Sequence, residues 1–213
     1  IKASKNPIII SGGGVFYSDA MEELSKFAIK HNIPVTQTVM GYSTMKRDHS
    51  HYAGQIGALG GKNTNSLAKQ TDLAIAVGTK LADFTTGSWT NFENENFKLV
   101  SINVSRFDAN KHLAQAVVGD ARASLNELSA ALGDWKAPDG WNKKSQIELK
   151  AWNEHVDKES APTNQEVPSY VQVVGAVYRN SDPSDIAVTA AGGLVGEVIQ
   201  VWRPRELNTH ETE

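Results

Sequence analysis

The chain has 213 residues, 40% of them hydrophobic and 21% charged, with a formal net charge of −3. A pI near 6.1 leaves no overall basic field to attract nucleic acid. There is no cysteine, which excludes disulfides, thiolate nucleophiles and cysteine metal sites, and no apolar run approaches the ~20 residues that cross a bilayer.

Pro7-Ile8-Ile9-Ile10 is a short β-branched run closed by Ser11-Gly12-Gly13-Gly14, which predicts a buried strand ending in a tight loop. Ser18 is expected to cap a helix running to about His31, with Leu24, Phe27, Ala28 and His31 on one face. Pro34 opens a second strand, Val35 to Val39, and a glycine-rich stretch follows from Met40 to Gly61. Lys62 to Gln70 predicts a short helix. Leu73 to Gly78, Leu99 to Val104 and Ala116 to Val118 predict three further strands. Asp120 then leads into a helix with Leu125, Leu128 and Leu132 on one stripe and Gly133 as its stop. Continuous apolar strands alternating with helices indicate a parallel sheet covered on both faces. The fold class is therefore α/β, a Rossmann-like doubly wound parallel sheet over residues 1–134.

The character changes at Trp135. Residues 1–134 carry a net charge of +1 and residues 135–213 a net charge of −4. Trp135, Trp141 and Trp152 lie in a polar stretch that reads as a linker, 135–164, around a charged helix from about Lys143 to Lys158. The acidic surroundings favour packing over base stacking for these tryptophans. Ser169 to Arg179 predicts a helix, Ile186 to Ala190 a strand, and Val195 to Trp202 another helix. One strand with two helices cannot bury a sheet. Residues 165–213 are thus expected to open a truncated second α/β unit, and the chain, starting at Ile1 and ending at Glu213, reads as a piece of something longer.

Gly12-Gly13-Gly14 sits where a phosphate would meet free backbone N–H groups. Tyr17 replaces the third glycine of the dinucleotide fingerprint, so a tight strand-to-helix turn competes with that reading. Gly57 to Lys62 looks like a phosphate loop but fails its spacing, and reads better as a flexible glycine loop. His49-x-His51 lacks a convincing third ligand and reads as a solvent-exposed pair. Lys80 and Asp83 follow the third strand, at the carboxyl edge where open α/β sheets bind ligands; the alternative is a surface salt link. No Gly-x-Ser-x-Gly elbow is present.

Several segments together resemble the middle domain of thiamine-diphosphate enzymes of the acetolactate synthase type. They are Pro7 to Val15, Gly54 to Gly61, Leu73 to Asp83, Val100 to Val104 and Val118 to Ala121. The stretch Ile186 to Glu197, with Trp202-Arg203-Pro204 and Thr209 to Glu213, is similar to the start of the diphosphate-binding domain in the trihydroxycyclohexane-dione hydrolase branch. This resemblance implies a hydrolytic C–C cleavage of a cyclic 1,2-dione in inositol catabolism, with thiamine diphosphate held by Mg²⁺. It implies N- and C-terminal partner domains, a homodimer or tetramer, a cytoplasmic location, and neither nucleic acid nor membrane as partner. Ala191, Gly192 and Gly193 match the loop that approaches the cofactor diphosphate. Gly12, Gly13, Gly14, Lys80 and Asp83 match positions that contact FAD in relatives that retain it, though Asn103 stands where those relatives often have Asp. The activating glutamate and the Gly-Asp-Gly…Asn metal motif belong to parts of such enzymes that this sequence does not contain, so the resemblance implies a fragment inactive by itself. The alternatives are an FAD- or ADP-binding module and a purely structural spacer.

Overall fold

The structure, a computed structural model, describes residues 1–163, 165–190 and 192–212. Six strands form one parallel sheet: β1 (Pro7–Ser11), β2 (Val35–Gln37), β3 (Tyr52–Gln55), β4 (Leu73–Val77), β5 (Lys98–Asn103) and β6 (Gln115–Val118). Their order is β3-β2-β1-β4-β5-β6, so the chain winds outward from β1 in one direction and from β4 in the other. That reversal makes the carboxyl ends of β1 and β4 the topological switch point.

Strand alternation explains the two layers. Ile9 of β1 with Ile75 and Val77 of β4 joins the cluster that holds Leu24, Phe27 and Leu125. Ile8 and Ile10 with Ala74 and Ala76 point to the other face, toward Leu67, Ala68 and Trp141. The first face is covered by α2 (Met21–His31) and α6 (Ala121–Leu132), the second by α3 (Lys62–Gln70). Asp120 caps α6 by accepting from Ala123 N at 3.0 Å, and Gly133 closes it as the spacing predicts.

Four local readings need correction. The expected single helix from Ser18 is two pieces: Ser18 closes a short α1 (Gly13–Tyr17), and Asp19 turns the chain at φ +48° before α2 begins. The kink is driven by burial, because it lets Val15 and Ala20 both reach the core with Leu24. The strand expected to reach Val39 stops at Gln37, where the Thr38 hydroxyl accepts from Gly41 N and caps a 3₁₀ turn. The glycine-rich stretch hides β3, a strand of four residues with a register shift against β2 and Gly54 at φ +103°. Finally, the Gly57 to Lys62 loop is locked rather than flexible. Ala58 N–H donates to Phe84 O at 2.7 Å, and Asn65 bonds both backbone groups of Gly57.

Helix α7 (Asp139–Glu159) occupies most of the stretch read as a linker and starts four residues earlier than its charge pattern suggests. Trp141 is buried in its first turn and donates Nε1–H to Pro7 O at 2.8 Å. Gln146 donates to Tyr52 O of the edge strand β3, which protects that edge from foreign pairing. Trp135 stacks beside His31, whose Nδ1 lies 2.8 Å from Trp135 O. The tryptophans therefore serve packing.

The C-terminal part contains α8 (Tyr170–Asn180), β7 (Ala187–Thr189), α9 (Val195–Val201) and β8 (His210–Thr212). Ser169 caps α8 through a full capping box. β7, expected as a lone strand, pairs in parallel with β8. Val156 of α7, Val174 and Tyr178 of α8, and Val201 and Trp202 form a third apolar cluster. Tyr42 O–H bonds Ile199 O, and Arg47 N–H donates to Pro204 O, which ties this part to the sheet domain.

Candidate functional site

The switch point opens into a cleft of about 690 Å³. Gly13 and Gly14 enter it from the β1 loop, Gly78 to Lys80 from the β4 loop, and Asn103 to Ser105 from the β5 loop. Asp83, which opens the one-turn helix α4 (Asp83–Thr86), is not among the residues that line it, and neither is Gly12. No ion pair joins Lys80 and Asp83 among the described residues, so the alternative of a surface salt link between them is not formed. Thr38 to Met40 and Asp108 also line the cleft. Their residue types carry no motif, but the first three follow a strand end, which is the signal that could have found them.

Much of the polarity of this cleft is internally satisfied. Gly12 N–H donates to Val77 O and Gly14 N–H to Gly78 O, both at 2.9 Å. These groups are therefore not free to receive a phosphate. Asn103 is similarly committed: its Nδ2 donates to Thr79 O at 3.1 Å and its Oδ1 accepts from Ser105 N at 2.9 Å. Asp108 lies 2.6 Å from Lys111 Nζ, and that bond, the Ser105 hydroxyl and the nearby Lys80 charge hold its carboxyl below the usual range.

Close approach accounts for the glycines here. A Cβ at Gly14 would sit 2.6 Å from Gly78 Cα, and one at Gly78 would sit 2.5 Å from Gly14 Cα. Gly78 also has φ +60°. The β1 and β4 loops thus touch backbone to backbone, which only this glycine pair permits.

Gly192 and Gly193 lie elsewhere. They line a cavity of about 510 Å³ with Trp152, His155, Glu159 and Glu197. A Cβ at either glycine would meet nothing within 4 Å. Ala191 lies outside the described residues. The two sets that the sequence separates, the Gly192–Gly193 loop and the β1 and β4 loops, accordingly lie at two different cavities.

The histidine pair is not solvent-exposed as expected. His51 is 7% exposed and His49 half-buried, because the chain turns inward there to start β3. His49 Nε2 lies 2.8 Å from Ser25 Oγ, and His51 bridges Ser50 Oγ and Asn32 Oδ1. Burial, and then the neighbouring His49, pushes His51 down to about 4. No group of three or more metal-ligating side chains occurs among the described residues. No described helix is long and apolar enough to cross a membrane.

Residues 1–128 match the family model for the thiamine pyrophosphate enzyme central domain. The chain belongs to this family. The switch-point cleft is thus part of a thiamine pyrophosphate enzyme central domain, and the family implies thiamine diphosphate as cofactor. Similar proteins include the 3D-(3,5/4)-trihydroxycyclohexane-1,2-dione hydrolase of Geobacillus thermodenitrificans, 35% identical over all of this chain and 36% of the relative. The protein of the same name from Clostridium tetani is 34% identical over all of this chain and 37% of its own length. A protein named 3D-(3,5/4)-trihydroxycyclohexane-1,2-dione hydrolase 2 from Bacillus cereus is 35% identical, again with 37% covered. The chain spans little more than a third of the length of these relatives.

Gly192 and Gly193 offer open backbone, but the side chains around them include two carboxylates, Glu159 and Glu197, and no lysine or arginine. A diphosphate placed there would meet like charge. These residues alone do not fit the anion. The sequence also contains no Gly-Asp-Gly.

Proposed function

We propose that this chain is the middle portion, with the first part of the diphosphate-binding domain, of a thiamine-diphosphate-dependent hydrolase. Its substrate is 3D-(3,5/4)-trihydroxycyclohexane-1,2-dione, cleaved at a C–C bond in myo-inositol catabolism. The observation that carries this reading is the run of similarity over the whole chain to hydrolases of that name at about a third identity. When bound, thiamine diphosphate supplies a carbanion nucleophile and an electron sink. The acidic cavity beside Gly192 and Gly193 supports an essential Mg²⁺ and cationic groups contributed from the rest of the enzyme. We place the complete protein in the cytoplasm as a homodimer or tetramer, with the present chain inactive by itself. The test is turnover of the cyclic dione by the complete protein. Ring opening that requires both thiamine diphosphate and Mg²⁺ is expected, and no turnover with both present refutes the assignment.

A specific observation favours a second element of this reading, that the switch-point cleft is a structural relic rather than an FAD or ADP site. The Gly12 and Gly14 N–H groups and the Asn103 amide are spent on the protein itself. Gly13→Asp in the complete enzyme tests it, with Gly13→Ala as the control for the 3.0 Å approach to Met40 O. An introduced carboxylate repels a phosphate. Unchanged cofactor content supports the spacer; loss of bound nucleotide with Asp but not Ala overturns it.

A further inference from the structure

A second buried polar feature adjoins the Gly192–Gly193 cavity. A cavity of about 20 Å³ is walled by Tyr52 and Gln55 of β3, Leu149 and Trp152 of α7, Ile199 of α9, and Arg203. Gln55 is 5% exposed and Arg203 6%. Among the described residues, neither amide atom of Gln55 has a hydrogen-bond partner, and neither do Nε and Nη1 of Arg203. Buried polar groups in native proteins are almost always paired, because leaving them unpaired forfeits their hydration.

The donor inventory identifies what fits. Arg203 offers only N–H donors here, whereas Gln55 offers donors and an acceptor. A ligand that bonds the guanidinium and also satisfies Gln55 Oε1 must accept from the first and donate to the second. A monatomic anion accepts but cannot donate. The charge of Arg203 is also already matched, since its Nη2 pairs with Asp157. Water does both, and a site needs only about 10–15 Å³ of this kind of volume to hold one.

We propose that this cavity is a built-in site for one structural water that bridges Gln55 on the sheet edge to Arg203 beyond α9. Trp152 and Gln200 wall both this cavity and the larger one that carries Gly192 and Gly193. The water therefore fixes the position of α9, and with it the floor of that larger cavity.

High-resolution crystals of the protein test the assignment. The expected result is one peak about 2.6–3.2 Å from a Gln55 amide atom and from Arg203 Nε or Nη1, with no anomalous peak there after a bromide soak. A direct Gln55–Arg203 bond without a peak overturns the proposal, and so does bromide at the site. Gln55→Met removes both amide atoms at similar volume. It should lower Tm by about 3–6 °C and remove one long-lived water from the relaxation dispersion of water ¹⁷O. An unchanged count of long-lived waters overturns the proposal. Should the variant fail to fold, the crystals of the unaltered protein still decide.

Discussion

Replacing Gly14 by alanine separates a packing role for the β1 loop from a phosphate-binding one. The new methyl would sit 2.6 Å from Gly78 Cα and 3.0 Å from Gly78 O. The atoms it meets are backbone, held by Gly78 N–H donating to Ile102 O at 2.9 Å, so they cannot swing away as a side chain would. Overpacking of this kind costs about 1–3 kcal/mol. Stretching the Gly14 N–H to Gly78 O bond adds about 0.5–1.5 kcal/mol. Gly14→Ala should therefore destabilise by about 2–4 kcal/mol. Gly78→Ala should cost about 1–2 kcal/mol more, because a left-handed residue acquires a Cβ at φ +60°. Since each substitution opens the same seam, the double variant should cost clearly less than the sum. Urea unfolding of the three variants measures all of this without any ligand. A Gly14→Ala protein as stable as the parent, or strict additivity of the pair, refutes the close-approach account. The glycines would then be free to serve a bound phosphate.

His51 supplies a pH signature: its neutral form is favoured in the fold, at about 4 against an ordinary 6.5. A group held this low contributes fully above about pH 7, and its contribution is lost as pH falls toward 4, because the unfolded chain takes up the proton first. The loss should approach about 2–3 kcal/mol, and unfolding curves between pH 7.5 and 4 should flatten in His51→Asn. Asp72 behaves with the opposite chemistry. Burial raises its carboxyl, but bonds from Lys5 N, Ser4 Oγ and Asn6 N together bring it below the ordinary value. Its contribution is present above the ordinary carboxylate range and disappears on acidification below it, so Asp72→Asn should remove part of the acid sensitivity below pH 4. Trp141→Phe leaves Pro7 O without its 2.8 Å donor in a buried setting and should lower stability by about 1–3 kcal/mol. Asp120→Ala removes the α6 cap and should cost about 0.5–2 kcal/mol by thermal unfolding.

Elements whose signals are local were legible in the sequence. The all-apolar runs of β1 and β4, the Asp120 cap and the Gly133 stop each depend on neighbours a few residues away. β3 was not legible, since Tyr52-Ala53-Gly54-Gln55 has neither an apolar run nor alternation, and only pairing with β2 and cover from α7 make it a strand. The Asp19 kink was hidden for the same reason: it answers to the core beneath it, not to the capping chemistry of Ser18. At the candidate site, sequence reading found the switch-point loops by their place after strands. It could not see that Gly14 faces Gly78 across the sheet, or that Asn103 spends both ends of its amide on the backbone. Such commitments are long-range, and they decide whether a glycine-rich loop is a cradle or a packing surface.

The separation of the two glycine loops constrains how a cofactor site can be assembled. In a single-chain nucleotide site, the glycine loop, a helix N-terminus and compensating cations converge on one anion. Here Gly12 and Gly14 of the β1 loop have spent their N–H groups on Val77 O and Gly78 O, and the Gly192–Gly193 loop shares its cavity with Glu159 and Glu197. Gly12 and Gly14 thus offer a diphosphate no free N–H, and the cavity at the second loop offers it no lysine or arginine. Trp152 of α7 lines the same cavity as Gly192 and Gly193, so the helix that covers the sheet edge also walls the second loop.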